Sequence, residues 1–124
     1  MTKILFIEDD PLMLRLYEKV FKLEGFEISV AADGIVGVNK ARTEKPSLIL
    51  LDIMMPKIDG FQVLSQLKGD AETKAIPVII LTNLAGSQDA EKAIEMGALK
   101  YIIKSEHDPK EVVRIVSELL WPKS

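Results

Sequence analysis

Four apolar runs end on residues that can do chemistry. ILFI runs into Glu8, Asp9 and Asp10, SLILL runs into Asp52, IPVIILT closes on Thr82, and LKYII is followed by Lys104. Three carboxylates brought within about 5 Å of one another repel by roughly 3 kcal/mol per pair at an effective dielectric of about 20, so such a group calls for a compensating positive charge. Oxygen donors with no histidine or cysteine among them suit Mg2+, which takes an octahedral shell of carboxylates, waters and phosphate oxygens. Lys104 can supply a further charge and the Thr82 hydroxyl a hydrogen bond. An aspartate held beside such an ion can attack phosphorus and form an acyl phosphate, which makes Asp52 the candidate nucleophile. The metal would neutralise developing charge while the ammonium and hydroxyl hold other oxygens, so catalysis would rest on positioning and electrostatics.

Those side chains meet only if the chain brings the ends of its apolar runs to one edge. KILFI is followed by Asp10, an N-cap, by Pro11 in a first helical turn, and by the amphipathic stretch to Gly25. FEISV alternates apolar and polar residues as a half-wet strand does. A second helix opens at Asp33 and runs to about Arg42, SLILL is a third strand, and a third helix spans Asp59 to Gly69. IPVIILT is a fourth strand with its proline at the start, where a missing amide is tolerated. A fourth helix runs from Ser87 to Met96, LKYII is the fifth strand, and Asp108-Pro109-Lys110-Glu111 is a capping box opening a last helix to about Leu120.

Strands alternating with helices predict an α/β fold, a doubly wound parallel sheet with right-handed crossovers. ILFI, LILL and VIIL are continuously apolar, as strands buried on both faces should be, whereas FEISV and LKYII carry polar residues and suit the edges. The strand order expected is therefore 2-1-3-4-5, a flavodoxin-like (βα)5 arrangement, with its ligand crevice beyond the carboxyl ends of strands one and three.

The 124 residues, 48% hydrophobic and 28% charged, suit one domain over 1–124. No apolar run approaches the roughly 20 residues of a membrane helix, and ILFI is too short for a signal peptide, so a cytoplasmic location without membrane insertion is expected. The lack of cysteine excludes disulfides and thiol chemistry. A net charge of −3 with mixed signs provides no basic face, and direct nucleic-acid binding is not expected.

The motifs ILFIEDD, LILLDIMMPKIDG, IPVIILT and GALKYIIKS, in that order from about Lys3 to Leu120, resemble those of the response-regulator receiver domain of bacterial two-component signalling. The resemblance implies a signalling phosphoacceptor that promotes its own phosphotransfer and dephosphorylation rather than a turnover enzyme. Asp52 would accept the phosphoryl group from a sensor histidine kinase or histidine phosphotransfer protein. Glu8 and Asp9 would hold Mg2+ directly or through water, with Asp52 and the backbone carbonyl of Met54 as further ligands. Thr82 would bind a phosphoryl oxygen, Lys104 would pair with the phosphoryl group, and Tyr101 would be the switch aromatic. The fourth helix, fifth strand and fifth helix, about Ser87 to Leu120, would signal to a downstream protein. Only WPKS follows, so no output domain is expected in this chain.

Three positions depart from the family pattern. Glu8 stands where aspartate is commoner, which lengthens the reach to the metal. Asn83 follows Thr82 where a small residue is usual and could narrow the site. Ser105 replaces the proline that commonly follows the lysine and often sets a cis peptide. Two other readings remain. An aspartate-nucleophile phosphohydrolase would want a second aspartate where Met54 stands, and a receiver-like interaction module would work without phosphorylation. Nucleotide-binding glycine motifs are absent after the first strand.

Overall fold

The computed structural model describes residues 2–121. The chain runs β1 (Lys3–Ile7), α1 (Pro11–Leu23), β2 (Glu27–Ala31), α2 (Gly34–Glu44), β3 (Leu48–Leu51), α3 (Gly60–Gly69), β4 (Val78–Thr82), α4 (Ser87–Glu95), β5 (Lys100–Ile103) and α5 (Pro109–Leu120). All neighbouring strands are parallel and their order is β2-β1-β3-β4-β5, the arrangement the apolar ranking predicts. The ranking works because a strand covered on both faces has no position where a polar side chain reaches water. Every residue of β3 and β4 is buried, as are Ile4 to Ile7 of β1, whereas β2 and β5 each expose their first residue.

Alternation along the strands divides the core into two layers. Leu5, Ile7, Ile49, Leu51 and Ile80 face one way, against Val38 and Ala41 of α2, Val63, Leu64 and Leu67 of α3, and Ala93 of α4. Ile4, Phe6, Leu48, Leu50, Ile79 and Leu81 face the other way, against Tyr17 and Phe21 of α1 and Val112, Val113 and Val116 of α5. The period of two in the strands thus sorts helices two, three and four onto one face and helices one and five onto the other.

Caps set the helix starts that aim the strand ends. Asp10 accepts from the Leu12 amide, Asp33 from Val36, and Asp59 and Asp108 form reciprocal capping boxes with Gln62 and Glu111. Replacing Asp59 by alanine removes a cap that satisfies a helix-end amide, and a loss of about 1 kcal/mol in urea unfolding is expected. Small differences from the sequence reading lie at the ends. β2 is Glu27–Ala31 rather than FEISV, β4 begins after Pro77, and β5 begins at Lys100. An unforeseen 3-10 turn, Lys104–Glu106, separates β5 from α5. Among the described residues no peptide bond is cis, including the one between Lys104 and Ser105. No described helix is long and apolar enough to cross a membrane. Of the WPKS ending, Pro122 to Ser124 lie outside the described residues.

Candidate functional site

Main-chain hydrogen bonds hold the acids where the sheet runs out. The Glu8 amide donates to the Ala31 carbonyl at 3.0 Å and the Asp52 amide to the Ile7 carbonyl at 3.0 Å, one residue beyond β1 and β3 respectively. Their carboxylates are therefore fixed by the same ladder that buries the strands. Glu8, Asp9 and Asp52 each place a carboxylate oxygen within 4.8 Å of the others. Glu8 is buried, Asp52 is only 5% exposed, and Asp9 lies at the wet rim.

Lys104 enters this cluster from the end of β5. Its ammonium donates to Glu8 Oε1 and lies 3.4 Å from Asp52 Oδ2. Glu8 Oε2 accepts from the Asp10 amide at 3.2 Å, so both of its oxygens are engaged. Asp52 Oδ1 accepts from the Met54 amide at 3.2 Å, which leaves that carboxylate held by one main-chain donor and one cation. The donor set is all oxygen, closely grouped and partly buried, which fits a hard divalent cation such as Mg2+.

Burial pushes the Glu8 carboxyl up to about 7, with the Lys104 hydrogen bond pulling it down and the Asp52 charge pushing it further up. An acid whose folded value lies above its ordinary 4.5 binds its proton more tightly when folded. Stability therefore falls as pH rises between about 4.5 and about 7. With chelator present, thermal melts of the metal-free protein are expected to show that decline, and Glu8→Gln is expected to flatten it. An equally steep decline in the variant would assign the effect elsewhere.

Thr82 is the last residue of β4 and is fully buried, opposite Ile103 in the ladder. Its hydroxyl accepts from the Leu84 amide at 3.3 Å, and the Leu84 carbonyl accepts from the Tyr101 hydroxyl. A single peptide segment thus joins threonine and tyrosine. Tyr101 is half-buried against the core layer that includes Ile80. Met54, 59% exposed, stands at the rim.

Three features escaped the sequence reading. Gly60, near the start of the third helix, lies directly under the site: a Cβ there would sit 2.4 Å from the Asp52 carbonyl oxygen. The glycine after an aspartate was visible, but not what it touches. Asn83 and Ser105, read as separate departures, touch each other, with the Ser105 amide donating to Asn83 Oδ1 at 3.0 Å. His107, which reads from the sequence as a solvated loop residue, is two-thirds covered instead, with its shielded Nδ1 3.5 Å from Glu111.

Residues 4–117 match the family model of the response regulator receiver domain. RpaA of Synechocystis, a DNA-binding dual master transcriptional regulator, is 39% identical over 120 residues, covering 97% of this chain and 49% of its own length. PilH of Pseudomonas aeruginosa is 39% identical over 104 residues, covering 84% of this chain and 86% of its own. The chain spans about half the length of RpaA and of several other regulators it matches. A CheY-like receiver domain protein from Methanospirillum hungatei superposes with a TM-score of 0.89 at 26% identity, covering 97% of this chain and 94% of that one.

Proposed function

Because the chain belongs to the response regulator receiver domain family, we propose that it takes a phosphoryl group from a phosphohistidine onto Asp52 and signals by the change this makes in its surface. The observation that carries this reading is the convergence of Glu8, Asp9, Asp52 and Lys104 beyond the carboxyl ends of β1, β3 and β5. An Asp52 carboxylate oxygen attacks phosphorus as the phosphorus to imidazole nitrogen bond breaks, and the imidazole leaves with the bonding pair. Asp9, Asp52 and the Met54 carbonyl would hold Mg2+ directly. Glu8, with both oxygens already engaged, would reach it through water. When bound, Mg2+ neutralises charge on the phosphoryl oxygens.

Lys104 then exchanges part of its contact with the two carboxylates for a phosphoryl oxygen, and the Thr82 hydroxyl donates to another. Because Thr82 accepts from Leu84 and Leu84 accepts from Tyr101, a displaced threonine moves the peptide on which the tyrosine is anchored. The phosphoryl group shifts this equilibrium only by its preference for the arrangement in which Thr82 and Lys104 reach it. The α4, β5 and α5 face would present the change to a downstream protein. The donor would be a sensor histidine kinase or a histidine phosphotransfer protein in the cytoplasm.

Intact-mass analysis after incubation with Mg2+ and a small acyl-phosphate donor tests the proposal. One phosphoryl adduct is expected, absent from Asp52→Asn. Steady turnover of phosphate esters would favour a hydrolase, and no adduct at all would favour a phosphorylation-independent interaction module. Adduct lifetime gives a further expectation. Met54 and Leu84 offer no carboxamide or carboxylate to orient an attacking water, so the acyl phosphate should persist, and Met54→Asn should hydrolyse it several-fold faster. An unchanged or slower decay in that variant would overturn this.

A further inference from the structure

β4 and β5 stay in register from Ile79 opposite Lys100 to Thr82 opposite Ile103, and one more step places Asn83 opposite Lys104. There the main chain of β5 leaves the strand and enters the 3-10 turn Lys104–Glu106, closed by the His107 amide on the Lys104 carbonyl at 3.3 Å. The first amides of such a turn have no partner within it. The Ser105 amide finds one in Asn83 Oδ1 at 3.0 Å, so a side chain adds a cross-strand rung where the backbone ladder ends. The bonded residues directly follow Thr82 and Lys104.

We propose that Asn83 is a positioning residue, which ties the backbone after Lys104 to the backbone after Thr82 and so presets the spacing of the two side chains that contact the oxygens of the phosphoryl group on Asp52. The inference rests on the phosphoacceptor reading. Lys104 needs such help because its ammonium must serve Glu8 and Asp52 together from the end of an edge strand paired on one side only. A proline at 105 would have no amide to donate and would stiffen the turn through its ring. Serine supplies the donor, and Asn83 is the matching acceptor. The two departures from the family pattern are thereby one device.

The test is a cycle of Asn83→Ala, Ser105→Pro and the double variant, read as the rate of adduct formation with Mg2+ and a small acyl-phosphate donor. Asn83→Ala is expected to slow the reaction roughly threefold to tenfold, the scale of one lost hydrogen bond. The double variant should be no slower than Ser105→Pro alone, because the donor is already gone. Asn83→Asp, which keeps the acceptor oxygen, should retain the slowed Ser105 amide hydrogen exchange that Asn83→Ala loses, a readout needing no phosphorylation. Additive rate effects, or a Ser105 amide that exchanges equally fast in wild type and Asn83→Ala, would overturn the proposal. An unmodified wild-type protein would instead overturn the phosphoacceptor reading, leaving the exchange result to decide whether the rung exists.

Discussion

Lys104→Met is expected to destabilise the metal-free protein by about 3 to 5 kcal/mol at pH 8, the scale for removing one partner from a buried ionic group. The ammonium is the positive charge on Glu8 and Asp52, whose side chains are 1% and 7% exposed. Methionine fills most of the same volume, so little of the loss would come from packing. It would come from two buried carboxylates left facing each other and Asp9. The sign with pH follows from Glu8. Burial already raises its carboxyl to about 7, and loss of the Lys104 hydrogen bond removes a contribution that lowers it. In the variant Glu8 therefore holds its proton to higher pH, and below about 7 a neutral Glu8 relieves much of the repulsion. Urea midpoints at pH 6 and pH 8 in chelator should show a smaller deficit at the lower pH, and added Mg2+ should recover part of the deficit at pH 8. An unchanged midpoint at pH 8 would mean that Lys104 does not offset the acids.

How much of this was legible beforehand depends on the range of the contact involved. The central places of β1, β3 and β4 came from composition, because ILFI, LILL and VIIL have no polar residue to show to water, and the common doubly wound arrangement supplied the order that the structure has. The grouping of Glu8, Asp9, Asp52 and Lys104 followed from that order, since parallel strands deliver their final residues to one edge. Helix starts were readable because a cap acts within three residues of itself. The misplaced starts of β2 and β5 reflect the opposite case. Phe26 is as buried as a strand residue yet precedes the ladder, and Leu99 donates to Val78 while remaining exposed. Neither side chain reports which main-chain rung comes first. The rung between Asn83 and Ser105 was hidden for a similar reason, since it joins a side chain to a main-chain amide 22 residues away, far outside the reach of a local cap.

The tightest case is Gly60, where alanine is expected to slow phosphoryl uptake at Asp52 by roughly tenfold and cost about 1 to 3 kcal/mol, the range for overpacking a filled space. A Cβ there would lie 2.4 Å from the Asp52 carbonyl oxygen, 2.5 Å from Ile53 Cα and 2.9 Å from Ile53 Cδ1. The two nearest atoms are backbone, so no rotamer change makes room. The backbone itself is pinned on both sides, with the Gly60 amide on the Ile53 carbonyl at 2.9 Å and the Asp52 amide on the Ile7 carbonyl at 3.0 Å. Whichever bond yields, the peptide that carries the Asp52 side chain shifts against Glu8 and Lys104, and small misplacements of a reacting group are costly. Ile53→Val in the Gly60→Ala background should not rescue, because it trims only the farthest of the three contacts. Gly69→Ala is the control, since a Cβ at the end of the same helix meets nothing within 4 Å. It should leave uptake unchanged and be neutral or slightly stabilising, as alanine restricts the unfolded chain. If Gly60→Ala matched Gly69→Ala in both midpoint and uptake rate, the close approach beneath Asp52 would have no part in holding the phosphoacceptor.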